Sequence, residues 1–260
     1  MTDGTEASVK RRQITVEELR RRMLDAALEM VGDNGLTVGL SHLNMEEIIR
    51  LAGVPRSSVY REWDTKEDFY VELMIALVEP GPAQAKAFDV ETLRLAAEVV
   101  SDNVERLTTR GGRHAVLAEA IRVAGERNFQ ALNESLTYRT VTALVAALPT
   151  FDDAQREKIA KALTDSEVYY PERVAQFYKM FLPLMGFRVR DGFSERQLAI
   201  ASASVVEGMT RRSFTTPDIV SAPVIYPGID GEPVNWHFAA LTLLGVVEFM
   251  IEPIADWLPE

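Results

Sequence analysis

Apolar residues recur along most of the chain at intervals of three and four, the spacing that gives a helix one buried face, and alternating runs are few. The pattern predicts an all-α protein. A first helix opens at Thr15, a hydroxyl N-cap with Glu18 in the position of a capping box, and its stripe runs Leu19, Met23, Ala26, Met30 until Gly32 to Gly35 stop it. A second opens at Asn44, carries Met45, Ile48, Ile49 and Leu51, and ends at Ala52-Gly53, where glycine supplies a left-handed terminal residue. Pro55 suits the first turn of a third helix, where a missing N–H costs nothing. A fourth starts at Asp64 or Thr65 and runs to about Val78. The stretch EPGP, Glu79 to Pro82, closes it and divides the chain into domains 1–79 and 80–260.

Helical patterns then cover 89–110, 113–125, 128–148, 152–164, 168–186, 194–212 and 236–251. Pro183 within KMFLPLMGF is expected to kink its helix and open room beside it. The segment Ser213 to Asn235 departs from the pattern, because Pro217, Pro223, Pro227 and Pro233 deny it a helical run. It nonetheless offers Ile219, Val220, Val224, Ile225 and Tyr226 as apolar anchors, so we expect an ordered arm packed on the C-terminal body.

Composition narrows the function classes. No apolar run reaches the roughly 18 residues that span a bilayer, and MTDGTEASVKRRQ lacks the apolar centre of a signal peptide, so no membrane partner and a cytoplasmic location are expected. The absence of cysteine excludes disulfides, thiolate zinc sites and cysteine nucleophiles. His42, His114 and His237 are dispersed without HExxH spacing, and no Gly-rich phosphate loop or nucleophile elbow occurs. Neither an enzyme nor a cofactor or metal site is expected.

The net charge of −11 argues at first against a polyanionic partner. Its distribution removes the objection: residues 1–70 carry 10 Lys/Arg against 13 Asp/Glu, residues 71–260 carry 18 against 26. Within the first part the basic residues cluster, at Lys10 to Arg12, Arg20 to Arg22, then Arg56, Arg61 and Lys66. Salt screens charges beyond about 8–10 Å, so a local basic face can bind phosphates whatever the rest of the surface carries.

Helices 44–52 and 55–62, joined by a tight turn, fit a helix-turn-helix, whose second helix lies in a DNA major groove. Ala52 is small where the helices cross, Gly53 permits the turn, and Val54 and Val59 can pack inward while Arg56, Ser57, Ser58 and Arg61 face out. The guanidinium fork of arginine suits guanine, and hydroxyls with exposed helix-start N–H groups suit phosphates. The stretch IIRLAGVPRSSVYREWDTKEDFYVEL resembles the TetR family of transcriptional regulators over about residues 15–78. Ser57, Glu62 and Trp63 depart from the family's more frequent Gly, His or Tyr, and Phe.

The resemblance implies a fold of an N-terminal three-helix DNA-binding domain and a C-terminal helical ligand-binding and dimerisation domain. It implies a DNA interface of Asn44, Arg56, Ser57, Ser58, Tyr60, Arg61 and Lys66. Its partners would be a pseudo-palindromic double-stranded operator, a small-molecule effector and a second copy of the chain, and coupling would pass through the helix that starts near Thr65. Effector contacts are expected from Arg122, Asn128, Tyr138, Phe177, Phe181 and Met185. The small residues of helix 194–212 and the all-round apolar helix 236–251 suit a four-helix dimer interface, with Ser202, Val205, Met209, Leu243, Val247 and Met250 as its contacts. The competing reading is a helical carrier or enzyme for an apolar small molecule with a vestigial helix-turn-helix.

Overall fold

The computed structural model describes residues 14–34, 43–78, 89–255 and 257. Lys10 to Arg12, His42 and the EPGP boundary lie outside them. The chain divides into two units, Met1–Val78 with Arg139–Ala160, and Glu79–Tyr138 with Lys161–Glu260.

In the first unit, α1 (Val16–Asn34) packs on α2 (Met45–Ala52), α3 (Arg56–Glu62) and α4 (Lys66–Val78). The apolar stripe of α1 meets Ile48 and Val59 from α2 and α3, and Phe69 and Leu73 from α4, in one core. Thr15 caps α1, its Oγ1 accepting from Glu18 N at 3.2 Å. The expected reciprocal bond from the Glu18 side chain is not made, because Arg21 and Arg22 bind that carboxylate at 2.8 and 2.6 Å. Asn44 Oδ1 accepts from Glu46 N, and Gly53, at φ +62°, ends α2. Thr65 caps α4 reciprocally with Asp68, each side chain accepting from the other's backbone N–H.

The second unit is built around α6 (Arg110–Glu134), which packs against α5 (Val90–Asp102), α9 (Glu195–Ser213) and α11 (Phe238–Met250). Thr109 caps α6, and Gly112 cannot be larger, since a Cβ there would sit 1.9 Å from the Arg106 carbonyl oxygen. The patterns 113–125 and 128–148 prove to be α6 and α7 (Leu136–Ala147), with the break at Ser135 rather than between 125 and 128. The polar step at Glu126-Arg127 is one side of a continuous helix. Similarly, 152–164 and 168–186 fuse into α8 (Asp153–Leu184), which runs through Pro171. Pro183 lies in its last turn, so it ends the helix instead of kinking it: its carbonyl accepts from Gly186 N at 3.0 Å and from the Trp257 indole at 2.8 Å.

The all-α architecture carries two small antiparallel additions. Strand β1 (Phe187–Val189) pairs with β4 (Ile251–Pro253) beyond α11, and β2 (Val224–Pro227) pairs with β3 (Pro233–Trp236) as a hairpin. The proline-rich segment thus forms a short helix and a hairpin. Pro217 opens a short helix, α10 (Pro217–Val220), at the position where a missing N–H is harmless. Of its expected anchors, Val220 is buried and Val224 half-buried, whereas Ile219, Ile225 and Tyr226 are exposed, and the buried anchor of the hairpin is Trp236, just beyond the segment. Strand alternation accounts for Ile225, since Val224 and Tyr226 share one face with their partners Trp236 and Val234 while Ile225 lies on the other.

Candidate nucleic-acid interface and effector cavity

Gly53 and Val54 turn the chain from α2 into α3, and Val59 anchors α3 with no exposed surface, so the remaining α3 side chains are pushed outward. Arg56, Ser57, Tyr60 and Arg61 are exposed and Ser58 is half-buried. These residues come together on one short helix. Tyr60 and Arg56 converge on a single acid of α2: Arg56 Nη2 lies 2.8 Å from Glu46 Oε1, and Tyr60 Oη donates to the same oxygen at 3.1 Å. The Arg56 guanidinium also lies 5.4 Å from the Tyr60 ring centroid. Sequence reasoning missed Glu46, whose position two residues past the cap is a usual place for an acid in a first helical turn.

Asn44 is occupied as a cap and is exposed. Lys66 begins α4, exposed, with its Nζ 3.7 Å from Glu67. The basic cluster of α1 is largely neutralised within the unit, Arg21 and Arg22 by Glu18, and Arg20 by Glu62 at 2.7 Å. That last pair accounts for Glu62, the acid beside the α3 face. Trp63 is core, edge-on to Phe69 at 5.1 Å and donating its indole N–H to Glu72 at 2.8 Å.

In the second unit, α5, α6, α8, α9 and α11 line a partly open cavity of about 110 Å³. Of the expected effector residues, Asn128, Phe177 and Phe181 line it, the two rings stacked 4.6 Å apart. Arg122 instead pairs with Glu119 at 2.5 Å, Tyr138 donates to the Glu207 carbonyl at 3.2 Å, and Met185 is fully buried in the surrounding core. Three residues assigned to a dimer interface, Ser202, Leu243 and Val247, also line the cavity. Met250 is buried in the same unit, and Val205 and Met209 are half-buried.

The polar lining consists of Asp89, Thr92, Asn128, Tyr178 and Ser202. Tyr178 Oη donates to Ser202 Oγ at 2.9 Å, and burial pushes the Tyr178 phenol above its ordinary pKa even though that bond opposes the shift. Asp89 caps α5 and takes Arg127 through Nε at 2.8 Å and Nη2 at 3.1 Å. Burial raises its pKa, but the bonds from Arg127 and Thr92 outweigh it and leave the carboxyl below its usual range. Tyr178, Asp89 and the alanines of the lining gave no sequence signal, because each also reads as an ordinary cap or core position.

Among the described residues no group of side chains could hold a metal ion, and no helix is long and apolar enough to cross a membrane. No curated protein matches the sequence. The solved structures with which the chain can be aligned include the following three. Escherichia coli NemR in its reduced form is 13% identical, with 91% of this chain and 99% of that one covered and a TM-score of 0.47. A putative transcriptional regulator from Rhodococcus sp. RHA1 is 15% identical, covering 88% and 94% with a TM-score of 0.46. NalD of Pseudomonas aeruginosa, the secondary repressor of the MexAB-OprM multidrug efflux pump, is 18% identical, covering 93% and 98% with a TM-score of 0.42. The family model of the bacterial regulatory proteins, tetR family, matches residues 23–73. That span holds most of α1, the whole of α2, the turn and α3, and most of α4, so residues 23–73 form the N-terminal domain of the tetR family of bacterial regulatory proteins.

Proposed function

We propose that the protein is a dimeric transcriptional repressor that binds a pseudo-palindromic DNA operator and releases it when a small molecule fills the cavity of the second unit. The observation that carries this reading is the outward face of α3. Arg56, Ser57, Tyr60 and Arg61 stand exposed on a helix whose inner side is fixed by Val59. Two-fold symmetry would present two such helices to two half-sites. Ser58, Tyr60 and Lys66 would hold the DNA backbone, and Arg56 with Ser57 would read base edges. The effector cavity would then act by binding the DNA-free form more tightly than the DNA-bound form, the only way a ligand can shift such an equilibrium. The work belongs in the cytoplasm, where the operator is.

Selection of bound fragments from genomic DNA, followed by binding at several salt concentrations, tests the proposal. The regulator gives a specific site with strongly salt-dependent affinity. Arg56→Ala then weakens that site by about 1–3 kcal/mol and relaxes one base position, whereas Lys66→Ala weakens all sequences alike. A folded protein that enriches no fragment is not a regulator, and the carrier reading, which the apolar cavity would also serve, takes its place.

A further inference from the structure

We infer that the cavity of the second unit takes a small uncharged aromatic molecule, with one ring in its buried part and a single oxygen presented to Tyr178 and Ser202. The inference rests on the regulator reading for the ligand's role as effector, but not for its chemistry.

Size comes first. The cavity holds about 110 Å³, and one of about 150 Å³ lined by aliphatic and aromatic side chains accepts benzene. That is the scale of a single ring in the buried part. The room exists because Ala96, Ala120, Ala124 and Ala199 stand where larger residues would meet across the helices. Shape comes second. Phe177 and Phe181 are stacked on each other, 22° from parallel, and a third ring can extend that stack on its cavity side.

Charge is the third constraint. Among the described residues no Lys or Arg lines the cavity, and its one carboxylate, Asp89, is already bound by the Arg127 fork. An ion entering would be stripped of water without a free counter-charge, which is costly. The last constraint is polar. Ser202, only 6% exposed, accepts the Tyr178 proton and keeps its own hydroxyl proton to donate, while the Tyr178 oxygen keeps lone pairs to accept. A hydroxyl on the ligand can use both.

Calorimetry on the full-length protein with phenol, toluene, benzoate and benzylamine tests this. Phenol and toluene are expected to bind, phenol about tenfold tighter, the scale of one buried hydrogen bond. Benzoate and benzylamine are expected to bind at least about tenfold more weakly than phenol. Ser202→Ala should abolish the preference for phenol over toluene. Ala120→Leu should weaken both at least about tenfold by filling the space, with Ala199→Leu as the substitute should the first variant fail to melt cooperatively. Charged probes binding as tightly as phenol, no binding of either neutral ring, or a folded, filled variant that binds like wild type each overturns the inference. Binding of phenol with no change in operator affinity upholds the cavity's chemistry and sinks only the effector role.

Discussion

Arg127 of α6 clamps Asp89 at the first residue before α5, two nitrogens against two oxygens, while the same carboxylate caps the helix through Thr92. One side chain therefore fixes both the start of α5 and its position against α6 at the edge of the cavity. Asp89→Ala should cost about 1 kcal/mol through the lost cap alone, which for a domain of this size lowers the melting temperature by about 2–4 °C. The acid dependence has a definite sign. A carboxyl whose folded pKa lies below its ordinary 3.8 stabilises the fold above that value and loses the contribution as pH falls through the folded pKa. Melting curves below pH 4 should therefore be flatter in Arg127→Ala than in wild type, and equal slopes would contradict the clamp.

Glu46 binds Arg56 and Tyr60 together, so in the free protein the two side chains best placed for DNA are engaged by an acid. The pair is exposed, which limits its strength to about 0–1 kcal/mol. Glu46→Gln removes the ionic part and an acid from the phosphate-facing side. Operator affinity should rise about two- to fivefold, with more of the gain for non-specific than for specific DNA. An unchanged or reduced affinity for both would mean that Glu46 helps to orient Arg56 on the DNA.

The N-terminal unit was legible because each of its signals is local. Asn44 and Gly53 each fix a backbone conformation within a residue or two, and α2 ends where they put it, whereas Pro55, expected in the first turn of α3, is its extended N-cap and the helix starts at Arg56. The second unit was legible only in part. An apolar face says that a residue is covered but not by what, so Ser202, Leu243 and Val247 read as equally suited to a partner subunit and to the cavity they line. Helix ends without a strong stop were also misplaced, as where α8 runs through Pro171. The hairpin escaped because its strands are four residues each and carry three prolines at or beside their ends.

His237 caps α11 through Nδ1, which accepts from Ala239 N at 3.2 Å, and its ring lies 4.2 Å from that of Phe129. Burial lowers its pKa, with Glu126 opposing the shift less strongly. A histidine held below its ordinary 6.5 stabilises the fold above that value, and the contribution is lost as pH falls from there through the folded pKa. Protonation removes the acceptor and sets a positive charge at a helix N-terminus. The wild-type melting temperature should fall as pH is lowered from 7 to 5. His237→Asn, which keeps a capping oxygen, should lose much of that dependence while staying within about 1 kcal/mol of wild type at pH 7.

Trp236 is the inner anchor of the hairpin, 1% exposed, with its indole N–H donating to the Pro227 carbonyl at 3.2 Å and its ring edge-on to Tyr226. Hydrogen exchange at the non-proline amides of Val224 to Tyr226 should be well slower than in a random coil. Trp236→Ala should cost about 3–5 kcal/mol and raise exchange there first. Coil-like exchange in the wild-type protein would refute the hairpin.

The proposed dimer can be separated from the fold by choosing which face of α11 receives a charge. Leu243 is buried within its own unit and lines the cavity, so Leu243→Glu should act as a core lesion of several kcal/mol, roughly 2–7 by the cost of burying an unpaired polar group. Phe249, on the same helix, is 64% exposed, and Ile200 on α9 is 49% exposed. A dimer built on the outer faces of α9 and α11 would cover such side chains, and a carboxylate introduced there would oppose association without filling the protomer's core. Phe249→Glu and Ile200→Glu should therefore give folded monomers by light scattering at micromolar concentration, with cooperative melting retained, while wild type is dimeric. Dimers that survive both substitutions would move the interface to another surface, and a monomeric wild type would remove the basis for a two-fold operator altogether.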